Sequence, residues 1–477
     1  MNRNLFLLLG VIVAVLGGCT LAPQYKRPAS PVSADWPTGA AYQEAREVAE
    51  AAPEAPDLPW RGFFTDDRLR KVIETALNNN RDLRLAALNV EKARAYYGIQ
   101  RAELFPTVDA VGSGGRERVP ADLSSTGRAM ISERYDVNLG ISSWEIDFFG
   151  RIRSLKDRAL EEYLATDQAH RSAQMLLVAA VANAYLALAA DREALKLSAS
   201  TFEAQKATYQ LIRKRYETGL ASKLDLRQAQ TQMDTAKGDV ARYTQLAAQD
   251  ENFLNLLVGS PLPPAFLPSD LAGVTPPREF SPGLSSELLL RRPDVAAAEH
   301  RLKAANANIG AARAAFFPRI SLTTSIGTAS ADLSGLFKDG SGTWGFAPRI
   351  VVPIFDARTW SAYDVTKVER EISVAQYERA IQTAFREVAD ALAVQGTVNR
   401  QIEAQQSLVE AVAEAYRLSN ARYTKGIDSY LNVLDAQRFL YGAQRGLISL
   451  HLARLANLVT LYTVLGGGER FDGKRSF

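Results

Sequence analysis

Two stretches of this chain, about 210 residues apart, carry the same succession of signals, and no other feature limits the fold as much. Phe105-Pro106 recurs as Phe317-Pro318. Arg215-Tyr216-Glu217-Thr218-Gly219-Leu220 recurs as Arg422-Tyr423-Thr424-Lys425-Gly426-Ile427. Leu224 to Gln230 lies beside Leu431 to Gln437, and Arg81-Asp82-Leu83 faces Arg292-Pro293-Asp294-Val295. A period this long is far outside the range of about 20–50 residues used by solenoid repeats, so it marks duplication of a whole structural unit.

Each copy reads in the same order. A helix spans Asp66 to Ala102 in the first and Ser285 to Ala315 in the second, ended by Pro106 or Pro318, which cannot continue the helical hydrogen bonding. Two segments with period-two alternation follow. Tyr135 to Ser142 and Ile320 to Ile326 alternate apolar with polar, and Trp344, Phe346, Pro348, Ile350, Val352 and Ile354 fall on one face. Polar connections at Arg116 to Ser132 and Ala331 to Gly342 make each pair a β-hairpin.

A very long helix follows each hairpin. Arg151 to Arg215 contains neither Pro nor Gly, and at 1.5 Å per residue would reach roughly 100 Å. Its counterpart, Arg358 to Tyr423, has Gly396 as a possible weak point. Gly219 and Gly426 suit left-handed caps at the ends, and Ser222 and Asp428 are placed to N-cap the returning helices. Those run to about Val258 and Leu465, giving two long antiparallel helix pairs with tight tips. Ala180, Ala184, Ala187 and Ala194, with Leu176 and Leu197, form a small-residue stripe that allows close helix approach.

Composition removes other classes. One Cys cannot build a disulfide scaffold, and with His170, His300 and His451 scattered along helices no four-ligand zinc site is legible. A formal charge of +3 argues against a nucleic-acid binder. A mean hydropathy of −0.13 excludes a multi-span helical membrane protein. There is no phosphate-binding loop and no catalytic constellation, so no enzyme is expected.

The apolar run Leu5 to Leu16 follows Arg3 and suits a signal-peptide core. It ends in Leu16-Gly17-Gly18-Cys19, which resembles the bacterial lipobox. That resemblance implies removal of residues 1–18, diacylglycerol on the Cys19 thiol and an acyl chain such as palmitate on its amine. Thr20, where a retention signal would carry Asp, then points to the outer membrane, and residues 19–64 read as an extended lead-in. Residues 65–270 form the first repeat and 271–477 the second with a C-terminal tail.

Four strands cannot close a membrane barrel, since the smallest need about 8. Their one-sided apolar pattern is nonetheless that of a barrel wall, and three copies at four strands each would make a twelve-stranded one. A small sheet packed on the helices is the alternative.

Taken together, the lipobox, the duplication, the Phe-Pro strand entries, Trp144-Glu145-Ile146-Asp147-Phe148-Phe149-Gly150-Arg151, the Arg-Tyr-x-x-Gly tips, Leu431 to Gln437 and the closing Leu465-Gly466-Gly467-Gly468 resemble the TolC-like outer-membrane efflux factors, of the lipidated NodT/OprM type. The resemblance covers essentially the whole mature chain. It implies a mainly α fold with β structure: a homotrimer with a twelve-stranded transmembrane β-barrel, a long periplasmic α-helical barrel, and a mixed collar supplied here by Pro261 to Pro282 and the termini. The implied work is passive export of drug, dye, solvent or metal, loaded by a periplasmic adaptor and an RND-type inner-membrane pump; export of proteins by type I secretion, or a pore-free lipid-anchored scaffold, are the alternatives. It also places a periplasmic gate on Leu431, Asp435 and Arg438, and adaptor contacts on Gly219, Leu220, Ser222, Gly426, Ile427 and Asp428. Read without the resemblance, Asp435 and Arg438 are an intrahelical ion pair worth about 0.2–0.5 kcal/mol.

Overall fold

The computed structural model describes residues 20–43, 58–278 and 285–467. Cys19 and the leader before it lie outside the described residues. The main elements are α1 (Asp67–Asn79), α2 (Arg81–Ala102), β1 (Val108–Val119), β2 (Met130–Ile146), α3 (Arg151–Glu217), α4 (Lys223–Val258), α5 (Pro293–Ala314), β3 (Arg319–Ser330), β4 (Gly342–Val351), α6 (Ala357–Thr424) and α7 (Tyr430–Val464). They gather into two compact units that cut across the two repeats, each drawing on both.

The first unit holds residues up to Ala29, Asn89–Asp167 and Ala297–Tyr377. Its centre is one antiparallel sheet in the order β1-β2-β3-β4, with β1 and β4 as free edges. The register aligns the apolar positions of all four strands. Val108, Ile141, Thr324 and Phe346 form one row, and Ala110, Leu139, Ile326 and Trp344 the next. Asp109, Gly140, Ser325 and Gly345 share the opposite face with Asn138, Asp136, Thr323 and Arg349. The apolar face is open: Trp344 is 78% exposed and Ile326 68%. The alternation would fail halfway along β2 without a bulge. Ser142 and Ser143 both oppose Thr323, and Ser143 takes a left-handed φ of 57°. The extra residue returns Trp144 and Ile146 to the face of Ile141. The last strand ends at Val351, so Val352 and Ile354, expected on its apolar face, lie beyond it.

The joint between sheet and helix explains the Trp144–Arg151 motif. Arg151 donates twice to Glu145 (2.8 and 2.9 Å), and Arg319 reaches the same carboxylate at 3.3 Å. Asp147 accepts from the Arg153 backbone N–H and guanidinium (2.8 and 3.2 Å). Phe149 stacks on Phe317 of the second Phe-Pro entry at 4.9 Å. The N-terminal segment runs along α5: Arg27 and Tyr25 both donate to Glu299, and Asn306 donates to the Pro23 carbonyl. Burial is the largest single influence on Glu299 and raises its pKa, but the Arg27 and Tyr25 bonds and the Lys303 charge together outweigh it and hold the carboxyl below its usual range. His300 sits beside Glu161 at 2.6 Å, a packing partner in this unit.

The second unit holds Ser30–Leu88, Gln168–Ala296 and Glu378 onward. Here the first helix of each repeat departs from expectation. Each is broken rather than continuous. Asn80 separates α1 from α2, its side chain accepting from Leu83 N–H and donating to the Leu257 carbonyl (both 2.8 Å). In the second repeat a 3-10 turn, Ser286–Arg291, stops at Arg292, and Pro293 opens α5. Arg292 is buried and spends its guanidinium on Asp294, Glu387 and the Val464 carbonyl. The core includes Phe63 stacked on Tyr462 at 4.0 Å, with the Tyr462 hydroxyl donating to the Leu58 carbonyl.

Both long helices are unbroken, at 67 and 68 residues. An apolar window of α3 would pass for a membrane span by composition, but two thirds of it is buried within the protein. The expected alanine stripe is therefore too narrow: Val181, Ala182, Tyr185, Leu186, Leu188 and Ala189 are all buried, while Leu176 is exposed. Gly396 is no weak point. A Cβ there would lie 2.2 Å from the Ala41 carbonyl, so glycine lets the N-terminal segment cross α6. The Pro-rich segment after α4 is held to α3 by Arg192 donating to the Pro268 carbonyl and by Glu193 accepting from Leu271 N–H.

Candidate functional site

The two helix tips, both within the second unit, are built alike. After α3, Gly219 N–H bonds Tyr216 O and Leu220 N–H bonds Arg215 O; after α6, Gly426 N–H bonds Tyr423 O and Ile427 N–H bonds Arg422 O. Both are Schellman caps, with Gly219 at φ 76° and Gly426 at φ 71°. Leu220 and Ile427 are left pointing outward and exposed.

Beyond the glycines the two copies diverge. Ser222 caps α4 in a full capping box with Asp225, each backbone N–H bonded to the other's side chain at 3.0 Å. The cap of α7 is Ser429, not Asp428, and its side chain makes no cap bond. Asp428 is engaged elsewhere: the Arg422 guanidinium donates to it twice, at 2.6 and 3.1 Å. That bond holds the Asp428 carboxyl below its usual range. The first repeat has Ala221 at the corresponding place, so this clamp belongs to the second tip alone.

Between the tips lies an apolar cluster of Ile212, Ala229, Tyr430, Val433 and Leu434, with Tyr209, Leu226, Tyr416 and Tyr423 packed against it. Arg215 covers the Tyr423 ring at 5.4 Å and donates to its hydroxyl at 3.3 Å. Burial raises the Tyr430 phenol well above its ordinary value, and its oxygen has no hydrogen-bond partner among the described residues. Tyr430, Val433 and Leu434 recur at helical spacing, so this face of α7 is pinned.

The expected gate residues share the other face. Leu431 is 49% exposed, and Asp435 and Arg438 sit four and seven positions on. Arg438 Nη1 lies 3.7 Å from Asp435 Oδ1, a loose, half-exposed pair. The corresponding residues of the first repeat are Gln228 and Thr231, so the charges occur once per chain. Further from the tip, Asp191 of α3 and Asp250 of α4 face each other. Burial, then the neighbouring Asp191 charge, pushes the Asp250 carboxyl up to about 6. Sequence reading missed this pair, because 59 residues and a helix reversal separate its members. Among the described residues no group of His, Cys, Asp and Glu could hold a metal ion.

The model of the family described as "Outer membrane efflux protein" matches residues 72–260 and 284–467. The antibiotic efflux pump outer membrane protein ArpC of Pseudomonas putida is 49% identical over 474 residues, covering 98% of this chain and 96% of ArpC. The toluene efflux pump outer membrane protein TtgC, also of Pseudomonas putida, gives the same identity and coverage. The crystal structure of the open state of the Neisseria gonorrhoeae MtrE outer membrane channel superposes with a TM-score of 0.83 at 38% identity, over 94% of this chain and 98% of that one.

Proposed function

The chain belongs to the outer membrane efflux protein family, and from that premise we propose that three copies of it close a single exit duct, gated at the helix tips. It is an outer-membrane channel protein of an efflux system with a periplasmic portion, and its fold is that of the TolC-like channels. The observation that carries the trimeric reading is the sheet. An exposed apolar face across four strands, giving way at its far end to the charged Arg116, Arg118 and Glu133 and backed by a polar face, suits lipid outside and water inside. Two free edges on such a sheet demand partners, and three sheets make a closed wall of the expected strand number. A pore-free scaffold would leave that face in water.

The gate reading rests on the division of α7 into a pinned face and an exposed face. In a trimer the exposed face repeats around an axis: Leu431 narrows and dries the constriction, and Asp435 and Arg438 set its charge. The paired caps at Gly219, Leu220, Ser222, Gly426, Ile427 and Asp428 present Leu220 and Ile427 to a periplasmic adaptor, behind which an RND-type pump supplies the energy. The duct itself performs no chemistry. Cys19 carries the lipid anchor. Solvents and antibiotics, as in the names of the toluene and antibiotic relatives, are the cargo, rather than the proteins of type I secretion.

Planar-bilayer recording tests this. The purified protein should form channels, and Asp435→Ala or Arg438→Ala should raise their conductance. Absence of channels would remove the duct; normal channels with unchanged conductance in both variants would remove the gate assignment alone.

A further inference from the structure

The two free edges of the sheet are complementary to each other, and we propose that β4 of one copy pairs with β1 of the next in one particular register, locked by an ion pair between Arg349 and Asp109 of the neighbouring copy. This rests on the trimeric duct reading and specifies its seam.

Three constraints fix the register. The edges must run antiparallel, because the order β1-β2-β3-β4 is antiparallel throughout and a closed wall continues it. Faces must match, so that odd-numbered residues of β4, which lie on the polar face, meet odd-numbered residues of β1. The shorter strand, β4 with 10 residues, should pair along its whole length with the 12 residues of β1. One register satisfies all three: Val351 opposite Asp109 and Gly342 opposite Arg118. Shifting by two residues in either direction leaves an end of β4 unpaired.

That register has two consequences that were not used to choose it. On the lipid side, Ile350 meets Ala110, Pro348 meets Gly112 and Phe346 meets Gly114. Over these three pairs a bulky edge is laid against a smooth one, the arrangement in which large side chains cover strand glycines, and beyond them Trp344 meets Arg116 and Gly342 meets Arg118. On the water side, Arg349 falls opposite Val111 and diagonal to Asp109, at about 7–8 Å between Cβ atoms, within reach of an arginine. Both charges are exposed, and among the described residues neither side chain has a hydrogen bond or ion pair within its own chain. The seam has one gap. Ala329 N–H bonds Ser341 O, so by alternation the even residues next to it on β4 aim at the free edge, and Pro348 is one that brings no N–H. A side-chain lock beside that gap compensates for the missing ladder bond.

The test uses cysteine pairs in the full-length protein, with single-cysteine variants as controls for Cys19. Ser113→Cys with Ala347→Cys should give disulfide-linked trimers. Ser113→Cys with Gly345→Cys, or with Arg349→Cys, should cross-link poorly. Preferential cross-linking of either alternative pair overturns the register while leaving the trimer intact; a protein that stays monomeric by mass in detergent overturns the duct reading instead. For the lock, Asp109→Arg and Arg349→Asp should each lower the temperature at which the detergent-resistant trimer dissociates, and the double exchange should restore it. Equal losses in the double variant and the singles would overturn the ion pair.

Discussion

Tyr430 offers a test with two opposite signs at one residue. Its ring is 3% exposed and packs with Ile212, Ala229, Val433 and Leu434, so it holds the first turn of α7 to the tip. Tyr430→Ala deletes the ring and leaves a cavity, which for buried aromatics costs about 3–5 kcal/mol. The cost is local, because the cluster lies at one end of helices anchored far away by their own packing. Local openings at helix ends cost less than global unfolding, so a loss of this size makes the open tip a major population. The expected result is strong loss of amide protection across residues 427–436, with channels that open without partners. Tyr430→Phe should do the reverse. The hydroxyl is buried with no partner among the described residues, and a stranded donor costs about 1–3 kcal/mol, so removing it tightens the tip. Hydrogen exchange followed by mass spectrometry of the detergent-solubilised protein reads both. Unchanged protection in Tyr430→Ala, or faster exchange in Tyr430→Phe, would refute the argument that burial of this ring pins the helix.

Three more perturbations follow from other contacts. Asp250 has a folded pKa near 6, above the ordinary carboxylate value of about 4, so the folded protein binds the extra proton and stability falls as pH rises from about 4 through about 6. Asp250→Asn should therefore raise the thermal midpoint at pH 7, by the equivalent of on the order of 1 kcal/mol after solvent screening, and flatten the profile between pH 4 and 7; an unchanged profile would count against the acidic pair. Gly426→Ala has room for its methyl but must hold φ 71°, so it should cost about 1 kcal/mol and speed exchange at the second tip alone. Gly396→Val would drive its side chain into the Ala41 carbonyl, so it should release the N-terminal segment, read as new protease cleavage near residue 40 in a protein that keeps its channel activity.

How much was legible depended on how local each signal is. The long helices, the Schellman glycines at 219 and 426 and the two hairpins are set by residues within one or two turns of each other, and they stand where the sequence puts them. Breaks at Asn80 and Arg292 had local signals that were passed over, since Asn80 caps Leu83 N–H and Pro293 opens α5; what the sequence could not show is the distant anchoring of each break, Asn80 on the Leu257 carbonyl and Arg292 on Glu387 and Val464. The cap of α7 was misplaced by one residue for a related reason. Asp428 is a good cap by type, but Arg422 takes its carboxylate, and Ser429 is left at the cap position. The bulge at Ser143 could have been suspected from the shift of phase between Ile141 and Trp144, the one signal in the strands that periodicity alone carried and sequence reading passed over.

By itself the sequence determined the period of the long helices and of the strands β2 to β4, and the order in which helices and hairpins occur, because backbone periodicity and the turn chemistry of Gly, Pro and Ser act within a few residues. It also determined which residues could share a face: Leu431, Asp435 and Arg438 are fixed together by helical spacing alone. Only the tertiary structure decided which face of α7 is buried, since that depends on Ile212 and Ala229 arriving from other helices. It alone decided that the apolar positions of four strands align into shared rows on one face, because register between strands is set by pairing and by one bulge, not by the alternation within any strand.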